Sequence, residues 1–135
     1  MMIKKINHVG VAVRDLDKAV SHFENVFGAE VIFRKVFDDQ KLESAMISMG
    51  ENRFELSQTT DPNGVIGKFI ENTGEGVHHV SLEVEDIDKA VAHFEDQGLK
   101  IVGKGTLGSG GNKICFLHPK EMFGILVEII EPAKG

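Results

Sequence analysis

Alternation sets the opening of the chain. Val9, Val11 and Val13 occupy every second position, which predicts a strand with one face in a core, while His8, Gly10 and Ala12 line the other face. The period then changes. Leu16, Ala19, Val20 and Phe23 recur at helical spacing, behind Asp15 at an N-cap position and ahead of Gly28 as a stop. Strands are expected next near 30–37, 42–49 and 52–58. Asp61-Pro62-Asn63-Gly64 is turn chemistry, and residues 65–72 read as a short linking helix. A second series follows. Val80, Leu82 and Val84 alternate with His79, Ser81 and Glu83, a helix runs from Asp86 to a stop at Gly98, and strands are expected near 100–104, 112–117 and 124–130.

The two series are copies. Residues 8–23 align with residues 79–94 at an offset of 71, with 10 of 16 positions identical, and chance is a poor explanation for that. The predicted fold is α+β: two tandem βαβββ modules, about 3–60 and 74–132, joined by the linker helix. Their strands are expected to form one cupped mixed sheet with the helices outside, in a single domain of 135 residues.

Composition narrows the function classes. A formal charge of −6 supplies no basic stripe for nucleic acid, although a few lysines around one pocket can still hold an anionic small molecule. No apolar run reaches the roughly 20 residues of a membrane span, so no membrane partner is expected. Cys115 is the only cysteine, which excludes an internal disulfide and fits a reducing compartment; the cytoplasm is the expected location.

Both modules end in a strand with an acidic residue among apolar ones. Glu55 in Arg53-Phe-Glu-Leu-Ser57 matches Glu128 in Leu126-Val-Glu-Ile-Ile130, at an offset of 73. Each module therefore supplies one histidine from its first strand and one glutamate from its last. Pseudo-twofold pairing would bring His8, Glu55, His79 and Glu128 around one centre, a nitrogen and oxygen set suited to Co²⁺, Ni²⁺, Mn²⁺, Fe²⁺ or Zn²⁺. Any one of these residues alone has an ordinary structural explanation; their recurrence in register favours a metal site. Gln58 also offers an amide oxygen but aligns with Glu131, so Glu55 is preferred. His78 alternates away from His79, His22 and His93 fall in helices, and Cys115 reads as core. The loops Gly108-Ser-Gly-Gly111 and Leu117-His-Pro-Lys-Glu-Met-Phe-Gly124 offer Gly110, Gly111, Lys113 and Lys120 as candidate contacts for a carboxylate or phosphate.

The duplicated module and its His/Glu/His/Glu pattern resemble the vicinal oxygen chelate, or glyoxalase, superfamily. Within it, Ile6-Asn-His-Val-Gly-Val11, Gly74-Glu-Gly-Val-His-His-Val80, Gly108-Ser-Gly-Gly-Asn-Lys113, Ile114-Cys-Phe-Leu-His-Pro-Lys120 and Gly124-Ile-Leu-Val-Glu128 look like the methylmalonyl-CoA epimerase family. The resemblance implies His8, Glu55, His79 and Glu128 as ligands of a divalent metal, Co²⁺ first, with Ni²⁺, Mn²⁺ or Zn²⁺ as rivals. It implies interconversion of (2R)- and (2S)-methylmalonyl-CoA by proton transfer at C2 through a metal-stabilised enolate, an acyl-CoA substrate and a homodimer. Glu128 is the candidate base on one face of C2 and Glu43 on the other. Gapless alignment sets Ser44, not Glu43, at the position where some family members carry a glutamate. The alternatives are a glyoxalase I-type lactoylglutathione lyase, which shares the ligands, and a metal-free small-molecule-binding protein of the same fold, which usually lacks them.

Overall fold

A computed structural model describes residues 2–134, with the side chain of Ser109 outside the description. The element order is β1 (Ile3–Ala12), α1 (Leu16–Phe27), β2 (Glu30–Phe37), β3 (Leu42–Met49), β4 (Asn52–Thr59), α2 (Val65–Thr73), β5 (Gly76–Val84), α3 (Ile87–Asp96), β6 (Ile101–Leu107), β7 (Lys113–Leu117) and β8 (Val127–Glu131). Short 3₁₀ turns, Ser109–Gly111 and Pro119–Glu121, flank β7. The tandem βαβββ order and the α+β class are as expected. The chain divides into two compact units, residues 8–78 and residues 2–7 with 79–134, so that β1 and β5 each contribute to both.

In the first unit the strand order is β2-β3-β4-β1. β1 runs parallel to β4, with Gly10 opposite Glu55, and the other pairs are antiparallel. One sheet face packs on α1: Val13, Leu16, Val20, Ala29, Ala45, Ile47 and Leu56 form a buried cluster with Val11, Phe23 and Phe54 against it. Alternation therefore assigns His8, Gly10, Ser44, Met46, Glu55 and Ser57 to the other face. α1 starts where the Asp15 carboxylate accepts from the Lys18 N–H at 3.1 Å, and it ends at Gly28, whose φ of 67° takes the left-handed turn.

The second unit repeats this plan with β1-β5-β8-β7-β6. β5 is parallel to β8, with Ser81 opposite Glu128, and β7 is antiparallel to both of its neighbours. Val84, Ile87, Ala90, Cys115, Leu117, Val127 and Ile129 form its core around α3, capped by Asp86 as α1 is by Asp15. His79, Ser81, Glu83, Glu128 and Ile130 belong to the face away from α3. Two boundaries differ from expectation. β6 continues to Leu107 because Gly103 and Gly105 (φ 72° and 78°) carry an irregular register with β7, and β8 begins only at Val127, after Phe123 and Gly124 at φ 57° and 92°.

Candidate functional site

In the first unit, the parallel register fixes the neighbours of Glu55. Gly10 stands opposite it, and His8, two residues earlier on β1, projects from the same face. His8 is buried, and its Nε2 lies 3.9 Å from Glu55 Oε1. That separation exceeds a hydrogen bond but suits two ligands of one ion. Donors each about 2.1 Å from a metal stand roughly 3 to 4.2 Å apart, depending on the angle between them. Burial, helped by the Arg53 charge, lowers the His8 pKa to about 4. The imidazole is neutral at physiological pH, the form that ligates.

The second unit reproduces the register. Ser81 stands opposite Glu128, and His79, two residues before Ser81, is buried on the same face. Ser81 Oγ–H donates to Glu128 Oε1 at 2.7 Å. Burial raises the Glu128 carboxyl to about 7, against the pull of that hydrogen bond. A carboxylate whose charge is this expensive to bury is one that a cation would stabilise strongly. The halves are not equal. Where Ser81 supplies a hydroxyl, the matching residue is Gly10, and the Glu55 side chain is 21% exposed. Sequence reading missed Ser81; its only signal was the replacement of Gly10 within the repeat.

Other predicted residues fall elsewhere. Glu43 lies on the α1 side of β3, opposite Val36, and its carboxylate accepts from Arg34 Nε at 2.8 Å, while Arg34 also reaches Asp17 of α1 at 2.6 Å. It does not share the face of Glu55. Ser44 does, hydrogen-bonded to Ser57 through buried hydroxyls 2.7 Å apart. Gln58 anchors a helix instead of serving as a ligand: its Oε1 accepts from the Leu16 N–H at 2.6 Å, as Glu131 Oε1 accepts from Ile87 N–H at 2.9 Å. Lys113 projects on the α3 side of β7, 3.9 Å from Glu131. It pairs with β8 about 10 Å along the strand from Glu128. Gly110 and Gly111 form the 3₁₀ turn ahead of Lys113, held by Gly108 N–H to Asn112 O at 2.7 Å. Lys120 is exposed in the turn after β7. His78 packs edge-on against Phe69, and burial lowers its pKa. Among the described residues no helix is long and apolar enough to cross a membrane.

The glyoxalase/bleomycin resistance protein/dioxygenase superfamily model matches residues 7–116. An ethylmalonyl-CoA/methylmalonyl-CoA epimerase of Cereibacter sphaeroides is 35% identical over 131 residues, covering 95% of this chain and 98% of that one. The chain belongs to the methylmalonyl-CoA epimerase family of this superfamily. Solved epimerases share its fold. The Mycobacterium tuberculosis methylmalonyl-CoA epimerase superposes with a TM-score of 0.93 at 29% identity, covering 98% of this chain and 91% of its own. A variant Streptomyces coelicolor methylmalonyl-CoA epimerase, in complex with 2-nitronate-propionyl-CoA, gives 0.91 at 32% identity, covering 98% and 99%. In this member of the epimerase family each unit offers one buried imidazole and one carboxylate, the donor types that suit a borderline divalent ion.

Proposed function

We propose that this protein interconverts the (2R) and (2S) forms of methylmalonyl-CoA, with one divalent ion, Co²⁺ first among the candidates, held by the repeat-matched His8, Glu55, His79 and Glu128. The observation that carries the reading is the repeated register, in which each unit sets a histidine and a glutamate on one face of a parallel strand pair. The family relationship supplies the substrate: an acyl-CoA thioester bearing a free carboxylate. The protein works as a cytoplasmic homodimer in this reading.

Epimerisation removes the C2 proton on one side of the thioester and returns a proton on the other. A bound divalent ion would supply Lewis-acid stabilisation of the charge that develops on the thioester oxygen. The chain's own part is to hold and move the proton. Glu128 takes it, with the Ser81 hydroxyl on its Oε1 fixing the rotation of the carboxylate. Glu43, held by Arg34 on the helix side of its sheet, is not placed as the second base in this reading, so the returning proton comes from Glu128 itself acting as a mobile base or from solvent water. Neutral His8 contributes ligation without adding charge, and His79 is its counterpart in the repeat.

The test is deuterium exchange at C2 of methylmalonyl-CoA in D₂O, with Co²⁺ and then with EDTA. Fast exchange with inversion, lost on chelation, is expected. A metal-loaded protein that leaves C2 unexchanged overturns the proposal and directs attention to the hemithioacetal of methylglyoxal and glutathione, the substrate of a glyoxalase I-type lyase.

A further inference from the structure

We infer that the loop joining β7 to β8 docks the nucleotide end of the substrate, with Phe123 as the platform on which the adenine stacks. The inference rests on the acyl-CoA reading above.

Phe123 is 101% exposed and its backbone sits at φ 57°. A bulky L-residue rarely adopts this conformation, whereas glycine does so freely. An outward phenylalanine here is held against both backbone preference and the hydrophobic effect, a combination that points to a use. The loop is a stiff support. Pro119 O accepts from Met122 N–H at 3.1 Å and from Gly124 N–H at 2.8 Å, and Met122 O accepts from Ile125 N–H at 3.0 Å. Glu121 Oε1 accepts from Lys100 N–H at 3.1 Å, which ties the loop to the start of β6. A platform fixed before binding loses little freedom when a ring settles on it.

Polar groups of the right kind share the loop. His118 Nδ1 accepts from the Lys120 N–H at 3.0 Å, so the neutral ring carries its proton on Nε2, and the imidazole is exposed. The Lys120 ammonium is exposed too, and among the described residues no carboxylate pairs with it. The nucleotide end of coenzyme A offers one aromatic face, a 3′-phosphate and a pyrophosphate. An aromatic ring, a fixed N–H donor and a cation match those groups one for one. The loop is also well placed. It runs directly into Val127 and Glu128, and Leu126 O accepts from the N–H of Val80, the residue after His79, at 3.1 Å.

The test compares wild type with Phe123→Ala and Lys120→Ala on methylmalonyl-CoA and on methylmalonyl-pantetheine, which lacks the nucleotide. Each substitution is expected to raise KM for the coenzyme A thioester about five- to tenfold with kcat little changed, and to leave the pantetheine thioester unaffected. Calorimetric titration of adenosine 3′,5′-bisphosphate alone is expected to show binding to wild type that Phe123→Ala weakens. Equal KM changes on both thioesters, or bisphosphate binding that is absent or indifferent to Phe123, overturns the inference. So does an altered oligomeric state on gel filtration with unchanged titration, which makes Phe123 a contact between copies. A protein that turns over neither thioester fails the epimerase reading alone, since the titration still reads the platform.

Discussion

Glu128 and His8 respond to burial in opposite directions, and pH separates them. A carboxyl raised from 4.5 to about 7 stays protonated in the folded protein while the unfolded chain has already lost its proton. Stability from this group therefore falls as pH rises from about 4.5 to 7, and stays low above that. His8, lowered from 6.5 to about 4, is uncharged in the fold while the unfolded chain still binds a proton, so its contribution rises between about 4 and 6.5. The two oppose each other in wild type, and a difference measurement isolates one. Metal-free Glu128→Gln, which keeps an acceptor for Ser81, is expected to gain on the order of 3 kcal/mol relative to wild type between pH 4 and pH 8, read from urea titrations at each pH. A pH-independent difference would show that the carboxyl is not held protonated by burial. Single residues were legible where they recur: His8 with His79 and Glu55 with Glu128 stood out because two copies agree. Glu43 had no such check. A shift of one residue reverses the face of a strand, and the register of β3 is set by its pairing through the Met49–Asn52 turn, which alternation alone does not reveal.

Helices and strands were legible to within a few residues, since caps and periodicity are local. Asp15 and Asp86 each accept from an N–H three residues on. Replacing either with alanine is expected to cost about 1 kcal/mol, and the double variant about twice that, because the caps lie in separate helices. Thermal unfolding of the three variants checks both magnitude and additivity. What stayed hidden was how helices attach to sheets. Gln58 and Glu131 match in the repeat, yet nothing local reveals that each side chain reaches the first amide of a helix, in the case of Gln58 across 42 residues. Gln58→Ala strands the part-buried Leu16 N–H and is expected to lose about 1–3 kcal/mol, seen as a lower urea midpoint. The late start of β8 was equally invisible, because Ile125 and Leu126 continue an apolar run that the left-handed residues Phe123 and Gly124 interrupt.

Across the whole chain, duplication made the architecture readable, for a fold that states its plan twice corrects local ambiguities by comparison. The same doubling governs metal loading in the proposed reading. Co²⁺ at about 100 times its Kd is expected to stabilise wild type by about 2.7 kcal/mol, and the Glu55→Gln/Glu128→Gln double variant by almost nothing. A thermal-shift titration decides this, and undiminished stabilisation of the double variant would remove both glutamates from the ligand set. The mismatch between Gly10 and Ser81 has a wider meaning. A tandem copy begins with interchangeable halves, and each is then exposed to separate mutation inside one gene. A hydroxyl present in one half and missing from the other is enough to end that interchangeability. In the proposed reading one glutamate is left as a plain donor and its twin becomes a proton carrier, so two members of an internal pair take up different trades without a second gene being needed.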